Sequence, residues 1–199
     1  MNFKNTNYNS LAGKFLIASP IISDPRFAKC LIYMISDDEE GSMGLIVNKP
    51  AKNLTVEQIC STNIKEESNI TYKPDPIVYY GGPVEIDKGF ILHTKDYENT
   101  YESTAIKNNL LLSSNIKILK DIMSGKGPSK FFFAMGYAGW DSNQLAKELK
   151  VNTWIEANLD VDTVFSKNSE KKWENALLSI GINTKSLSKL NFSPISGSA

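Results

Sequence analysis

One run of this sequence constrains the fold more than any other. Residues 129–137 read SKFFFAMGY, the most apolar strand pattern in the chain, and a helical pattern begins soon after it. A short apolar run bounded by turn residues indicates a buried strand. We therefore expect residues 129–137 to form a central strand, around which the other strands are arranged.

Further strand patterns occur along the chain, and several follow one another as in hairpins. They cover residues 14–19, 28–36, 43–48, 109–113 and 152–159, with two more in 76–93. The acidic sequence DDEEGS joins the second and third of these runs, which favours a hairpin. Helices follow strands irregularly, a pattern typical of α+β proteins. The prediction is a single compact α+β domain with a mixed or largely antiparallel sheet and flanking helices.

Three helices are marked by their boundaries. Thr55 and Gln58 have the spacing of a capping box, in which each side chain bonds the backbone N–H of the other. A second helix is predicted to begin at Ser114 and to stop at Gly125, because glycine favours the position just after a helix. A third is predicted over 169–180, and its helical spacing gives one buried face formed by Trp173, Ala176, Leu177 and Ile180.

The run GYAGWDSNQLAKEL, residues 136–149, is the most distinctive motif of the chain. Its spacing predicts Asp141 as the N-cap of a helix, with Gln144 completing a capping box. Trp140 and Leu145 have the spacing of a hydrophobic staple. Leu145, Ala146 and Leu149 are then expected to be buried, and Glu148 to face water. The alternative is an anion bound by the glycine amides and the helix N-terminus beside Trp140; the capping interpretation is favoured because it explains the same residues.

The composition argues against two classes of partner. Basic and acidic residues both number 22, so the formal net charge is zero. Arg26 is the only arginine, and arginine makes most of the bidentate contacts to bases and phosphates. Nucleic acid is therefore not an expected partner. No run reaches the roughly 18 apolar residues of a membrane span, and the polar N-terminus argues against a signal peptide. We expect a cytoplasmic protein that does not bind a membrane.

Few side chains in this sequence suggest catalysis. His93 is the only histidine, and the two cysteines, Cys30 and Cys60, are 30 residues apart, so no metal site of recognised spacing and no other cofactor is predicted. His93 is either a locally hydrogen-bonded residue at a strand end or the base of a hydrolase, working with Asp87 or Asp141. The acidic residues 37–40 are interpreted as a solvated hairpin loop rather than a magnesium site.

A second glycine-rich stretch suggests where a ligand could bind. Gly81-Gly82-Pro83 is expected to bend the chain between two strands, as a sheet corner or as the floor of a groove. If this bend lies beside the Gly-Trp motif, the unusual residues of both stretches form one pocket. The candidate ligand-binding residues are Tyr80, Gly81, Gly82, His93, Gly136, Gly139, Trp140 and Asp141.

Several of these motifs together resemble one known family. The sequences LAGKFLIASPIISDPRF, GSMGLIVNKP, YYGGPVEIDKGFILH, GYAGWDSNQLAKEL and WENALLSIGI occur in the order and spacing of the AlgH/YqgE family of bacterial proteins. The resemblance covers residues 11–183. It implies a compact cytosolic α+β domain. Outside it, we predict a flexible N-terminus over residues 1–10 and, from its polar sequence, a partly ordered tail over 184–199.

The molecular function of this family is largely unassigned, so the resemblance does not predict a specific activity. Its name comes from a link to the regulation of alginate production, which does not establish DNA binding. Members often carry Cys-Glu-His where this chain has Ile35, Ser36 and Asp37, so thiol or imidazole chemistry at that place is excluded here. A glycine that is frequent in the Gly-Trp motif is Asn143 in this chain.

The preferred hypothesis is a non-catalytic binding or regulatory module with a protein or small-molecule partner. It follows from the small number of side chains that suggest catalysis and from the glycine-aromatic motifs, which suit recognition of a ligand. A small-molecule hydrolase using His93 with a carboxylate is the alternative. A DNA-binding transcriptional regulator is the least favoured hypothesis, because of the balanced charge and the single arginine.

Overall fold

The computed structural model describes residues 9–63, 76–97 and 101–183. The polar region 61–75 is predicted from the sequence to be a loop. Most of it, most of the N-terminal segment 1–10 and the tail 184–199 lie outside the described residues. The strands are β1 (Phe15–Ala18), β2 (Leu31–Asp37), β3 (Gly41–Ile46), β4 (Pro50–Thr55), β5 (Ile77–Tyr80), β6 (Val84–Thr94), β7 (Thr104–Ile106), β8 (Leu110–Ser113), β9 (Phe131–Asp141) and β10 (Trp154–Ala157). The helices are α1 (Val56–Asn63), α2 (Lys117–Met123), α3 (Gln144–Lys150), α4 (Asp162–Phe165) and α5 (Ser169–Ser179).

The predicted central strand is confirmed. β9 has 11 residues and pairs with three other strands: antiparallel with β3 and β6, and parallel with β5. It extends four residues beyond the predicted end at Tyr137, because its last residues pair with β3 from Gly44↔Ala138 to Gly41↔Asp141. The most apolar run of the sequence therefore joins the two halves of the sheet.

The sheet has the expected largely antiparallel character. Its strands follow the order β10-β1-β2-β3-β9-β6-β8-β7, with β5 paired to β9 and β4 paired to β5. The predicted hairpin of β2 and β3 is present, with Tyr33 opposite Leu45. Among the described strands, only the pairing of β5 with β9 is parallel. The α+β prediction is confirmed: the chain forms one domain, in which a curled sheet is flanked by helices.

The helices pack against the curled sheet, and the hydrophobic core between them consists of three clusters. The largest is formed by α5, through Trp173 and Leu177, against Phe15 and Tyr33 of β1 and β2. In the second, α3 and β10 contribute to a group around two tryptophans. In the third, α2 packs through Ile118, Leu119 and Met123 on Val78 and Phe133. No helix within the described residues is long and apolar enough to cross a membrane.

Three strand boundaries differ from the prediction. The sequence predicts that Lys49-Pro50 closes the third strand, since proline cannot donate to a central ladder. β3 does end before it, at Ile46, but Pro50 begins a further strand, β4, which pairs with β5. Proline is tolerated there because β4 pairs on one side only. The sequence shows no regular pattern over residues 94–107, yet the structure contains the short strand β7 within this segment. The sequence Asp87-Lys88-Gly89 predicts a turn. In the structure it lies in an irregularity within β6, where pairing moves from Val84↔Tyr137 to Gly89↔Met135.

The helix signals near Thr55 and at the glycine stops were correct. The Gln58 backbone N–H donates to Thr55 Oγ1 at 3.1 Å, and Gln58 Oε1 accepts from the Thr55 N–H at 2.9 Å, which completes the capping box. Gly125 is the predicted stop of α2, and Gly181 has the same predicted role after the last helix; both follow their helices, with φ of +77° and +83°. The predicted start of α2 at Ser114 is three residues early, because the Lys117 N–H bonds Asn115 Oδ1 at 3.0 Å.

One position on α5 was placed on the wrong face. Ile180 is 36% exposed, whereas Trp173, Ala176 and Leu177 are buried as predicted. Ile180 is the C-cap residue with φ of −102°, so the chain has already left the helical path there. The helical spacing no longer applies at that position.

Candidate functional site

The two glycine-rich stretches lie against each other at a corner of the sheet. The Gly81 N–H donates to Met135 O, and Gly81 O accepts from the Ile46 N–H, both at 2.8 Å. A β-carbon added at Gly81 would lie 2.2 Å from Gly136 O, and one added at Gly82 would lie 2.1 Å from the carbonyl carbon of Tyr137. The bend is therefore a sheet corner in which main chain fills the space beside Gly81 and Gly82.

The eight candidate residues do not form one pocket. His93 lies opposite Phe131 at the start of β9, whereas Trp140 lies opposite Ser42 near its end. At about 3.4 Å per residue, nine residues of strand separate the two side chains by about 30 Å. Tyr80 is half-buried beside the cluster that contains Trp140, and Gly139 packs on the ring of Tyr137. The convergence of His93 with Trp140 was therefore predicted wrongly.

His93 is buried at the end of β6, with 1% of its surface exposed. Its Nδ1 is 2.9 Å from the backbone oxygen of Thr94, which fixes the proton on Nδ1, and its Nε2 is 3.5 Å from Ser103 Oγ. Burial lowers the pKa of His93, so the ring is neutral near pH 7. Neither Asp87 nor Asp141 is a hydrogen-bond partner, so the predicted carboxylate–histidine pair is absent from this part of the described structure.

The Gly-Trp motif begins its helix later than the sequence predicts. Asp141 is the last residue of β9, and the N-cap position is occupied by Asn143 with φ of +62°. Pairing of Asp141 with Gly41 keeps Asp141 extended and displaces the helix start. Half of the predicted capping box is present, because the Asp141 N–H donates to Gln144 Oε1 at 3.0 Å. The prediction of Asp141 as the N-cap is therefore wrong.

Glu148 joins two buried tryptophans, although it was expected to face water. Its Oε2 accepts from Trp154 Nε1 at 2.6 Å and from Trp140 Nε1 at 3.2 Å, while Gln144 Nε2 donates to its Oε1 at 3.1 Å. The two indole rings meet edge to face, with centroids 5.7 Å apart. Trp140 is 4% exposed and belongs to the core. Ala146, predicted to be buried, is exposed.

The acidic hairpin between β2 and β3 is only partly solvated. Asp37 is 9% exposed and accepts from the Leu11 N–H at 2.8 Å and from Ser42 Oγ at 2.6 Å, so its carboxylate ties the hairpin to the N-terminal segment. The other three acids are exposed, as expected. A polar cleft of about 640 Å³ lies between this hairpin and the start of α3. Within the described ranges, no group of three or more metal-ligating side chains occurs.

A second cleft, which we name the aromatic cavity, lies where the parallel strands β5 and β9 begin. It has a volume of about 560 Å³ and opens between α2 and α4. Its floor and walls are mainly apolar: Pro76, Ile77, Tyr79, Ile122, Met123, Phe131, Phe132, Phe133, Val164 and Phe165. The polar lining residues are Ser129, Lys130 and Lys167. The volume falls within the range of small-molecule sites, which are typically apolar with few polar groups.

Lys172 lies directly behind the floor of the aromatic cavity. It is 3% exposed, and its Nζ donates at 2.8 Å to the backbone oxygens of Val47 and Val164. The same Nζ is 5.5 Å from the ring centroid of Tyr79 and 5.8 Å from that of Phe132, which are cation–π distances. Burial lowers the pKa of Lys172 to about 8. A buried cation is thus held by carbonyls and ring faces.

The rim of the aromatic cavity carries positive charge. Lys130 pairs with Asp162, which is exposed, at 2.7 Å. Lys167 is exposed and has no ion pair among the described residues. None of the residues lining the cavity is acidic. An anion therefore meets favourable charge at this opening.

Comparison with known proteins assigns the family. The AlgH-like family model matches residues 15–185. A UPF0301 protein of Rickettsia canadensis is 40% identical over 88% of this chain and 91% of its own length, and one of Ruegeria pomeroyi is 39% identical over 89% and 96%.

The chain belongs to the AlgH-like family.

Solved structures agree with this assignment. The solution structure of the AlgH protein from Pseudomonas aeruginosa has a TM-score of 0.76 and 31% identity, and the match covers 96% of this chain and 99% of that one. A crystal structure of a protein from Corynebacterium diphtheriae, at 21% identity and a TM-score of 0.63, shows the same fold; the match covers 84% of this chain and 86% of that one. The curled antiparallel sheet is therefore the fold of AlgH-like proteins.

The aromatic cavity of this AlgH-like chain was missed by sequence analysis, although one signal was present. Lys172 falls at helical spacing from Ser169 and Ala176, on the face of α5 that is buried. A lysine on the apolar face of a helix indicates a polar or aromatic partner inside the fold. The cavity itself depends on β5, β9, α2 and α4 meeting at one place, and no local pattern encodes that.

Proposed function

We propose that this AlgH-like protein is a non-catalytic binding module that holds a small molecule in the aromatic cavity. The observation that supports the proposal is the cavity of about 560 Å³ whose lining is mainly aromatic and aliphatic. Apolar ligand surface placed there leaves water, at about 25 cal/mol per Å² of area buried. Rings on the floor, such as Phe132 and Phe133, are 2% exposed and already fixed by the core, so binding does not require them to be ordered.

Other parts of the described structure offer less for a ligand. The glycine corner is filled by backbone, and Trp140 is in the core. The polar cleft beside the acidic hairpin presents Asp37, whose oxygens already accept hydrogen bonds. His93 is bonded to the carbonyl of its own neighbour. The aromatic cavity combines unoccupied volume with apolar surface, and it is the site on which the proposal rests.

The lining favours binding over turnover. Its polar side chains, Ser129, Lys130 and Lys167, are all exposed at the rim. The Tyr79 hydroxyl is 3.2 Å from Ser169 Oγ, and Lys172 is separated from the cavity by rings. A nucleophile needs a neighbouring base within about 3 Å, and no such pair lines the described cavity. Hydrolysis at His93 is not part of this proposal.

A neutral fluorescent probe tests the proposal directly. N-phenyl-1-naphthylamine fluoresces when it leaves water, so the wild type is expected to raise its emission saturably. Ile122→Glu places a charge on the wall formed by α2 and is expected to abolish this binding. Ile86→Glu is the matched control, because Ile86 is 57% exposed and lies outside the cavity.

The outcome is decided by comparing the three proteins after circular dichroism has shown that each is folded. Equal probe binding by both variants would place the probe elsewhere and contradict the proposal. A wild type that gives no saturable signal would contradict it as well.

A further inference from the structure

The residues that line the aromatic cavity include two lysines and no carboxylate. Lys130 and Lys167 stand at the rim and Lys172 lies behind the floor, whereas no carboxylate lines the cavity. The rim charge of Lys130 is balanced by Asp162. The other two ammonium groups have no ion pair among the described residues.

The ammonium group of Lys172 is buried, so the absence of an ion pair matters more for it than for an exposed lysine. A charge inside a protein is ordinarily paired with an opposite charge. Here the partners of Nζ are the backbone oxygens of Val47 and Val164 and two aromatic faces, which are dipoles and quadrupoles rather than anions. Its field is weakly screened on the cavity side, because Tyr79 and Phe132 separate it from the opening without admitting water.

The opening has an arrangement suited to a molecule with one charged end. Apolar side chains of Phe131, Phe165 and Ile122 line the cavity, while Lys167 is exposed at its edge. A chain that enters the cavity buries its apolar part and leaves its head group beside that ammonium. A cationic head group would be repelled by the same lysine, and a neutral one would gain nothing from it.

We propose that the ligand of the aromatic cavity is a free amphipathic monoanion, with an apolar chain in the cavity and a carboxylate or similar head group beside Lys167. This inference rests on the proposed function, and it adds the chemical class of the ligand. A membrane surface is a different partner and is treated as an outcome of the test. Entry of single molecules is favoured because the apolar lining is recessed between α2 and α4.

Three probes with the same eight-carbon chain isolate the head group: octanoate, 1-octanol and octylammonium. Each is titrated against protein that carries N-phenyl-1-naphthylamine, and displacement of the dye is measured at low ionic strength. Octanoate is expected to displace the dye about 3- to 5-fold more tightly than 1-octanol, since an exposed ion pair contributes at most about 5-fold in affinity. Octylammonium is expected to bind most weakly.

Lys167→Gln removes the charge of the proposed head-group partner and keeps a polar side chain that is one atom shorter. It is expected to bring octanoate to within about 2-fold of 1-octanol, while the affinity for 1-octanol stays unchanged. The matched control is Lys171→Gln, which removes the same charge from an exposed position of α5 outside the cavity lining. The control is expected to retain the preference for octanoate.

The results distinguish this inference from the proposed function. If octanoate and 1-octanol displace the dye equally, or if Lys167→Gln and Lys171→Gln behave alike, the anionic class is wrong while the cavity remains a binding site. If none of the probes displaces a dye whose binding Ile122→Glu abolishes, the inference about the ligand class is wrong, while the proposed function is decided by the dye result alone. Binding to anionic lipid vesicles without binding of monomeric octanoate would also overturn the inference.

Discussion

Removal of the Glu148 carboxylate is expected to destabilise the fold much more than its half-buried position suggests. Glu148→Ala leaves the indole N–H groups of Trp140 and Trp154 without their shared acceptor. Both tryptophans are nearly fully buried, at 4% and 1% exposure. The substitution therefore places two polar hydrogens in the core with no protein partner.

The magnitude follows from the number of groups left unpaired. A buried donor that loses its acceptor is destabilising by about 1–3 kcal/mol. Because Glu148 is half-buried, water reaches part of the vacated space, and we take the lower part of that range for each indole. The expected decrease in the free energy of unfolding is about 2–4 kcal/mol for Glu148→Ala. Glu148→Gln keeps an acceptor oxygen, and its decrease is expected to stay near 1 kcal/mol.

Urea unfolding at pH 7, followed by tryptophan fluorescence, measures both changes. Glu174→Ala is the control, because it removes a carboxylate from an exposed position on α5 and is expected to change stability by less than about 0.5 kcal/mol. If Glu148→Ala is no more destabilising than this control, the two indole bonds do not stabilise the core. Equal destabilisation by alanine and glutamine would show that charge, rather than an acceptor atom, is what the tryptophans need.

Two further predictions concern the buried lysine and the glycine corner. Burial lowers the pKa of Lys172 from 10.5 to about 8, so the folded protein loses this proton at lower pH than the unfolded chain does. The stability of the wild type relative to Lys172→Met should therefore rise between about pH 8 and 10.5, by up to about 1.4 kcal/mol per pH unit, and should not rise below pH 7. Urea midpoints at pH 7.5 and 9.5 measure this difference. A falling difference would contradict this sign. Gly82→Ala would place a methyl group 2.1 Å from the carbonyl carbon of Tyr137 and should lower the free energy of unfolding by more than about 3 kcal/mol. Gly125 also has a positive φ, +77°, but open space around it, so Gly125→Ala should lower the free energy of unfolding by only about 1–2 kcal/mol. Thermal unfolding compares the two glycine variants, and similar melting temperatures would rule out the close contact.

Features encoded by neighbouring residues could be predicted from the sequence. The capping box of Thr55 and Gln58 involves two residues three positions apart, so its spacing is visible in the sequence, and both bonds are present. The central strand was recognised because its apolar run is short and continuous. The hairpin of β2 and β3 was recognised from its connecting loop. In these cases the local preference and the tertiary structure agree.

The errors occurred where contacts with another element of the fold override a local signal. Asp141 has the sequence context of an N-cap, but pairing with Gly41, 100 positions earlier, holds it in the strand. Glu148 is predicted to face water from helical spacing alone, yet two indoles on other elements turn it into a core acceptor. His93 and Trp140 were placed together because both are unusual residues, and rarity carries no information about distance. The aromatic cavity arises only when four elements meet.

The contact between the two glycine turns has a consequence for how this chain can change over evolution. Most tight contacts in a core tolerate exchange, because a larger residue on one side can be offset by a smaller one on the other. Gly81 and Gly82 meet the main chain at Gly136 and Tyr137, and main chain cannot be made smaller. No second-site substitution within this contact can therefore relieve an added side chain. The glycines of one stretch can therefore change only if the main chain of the other stretch, 55 residues away in sequence, changes its path as well.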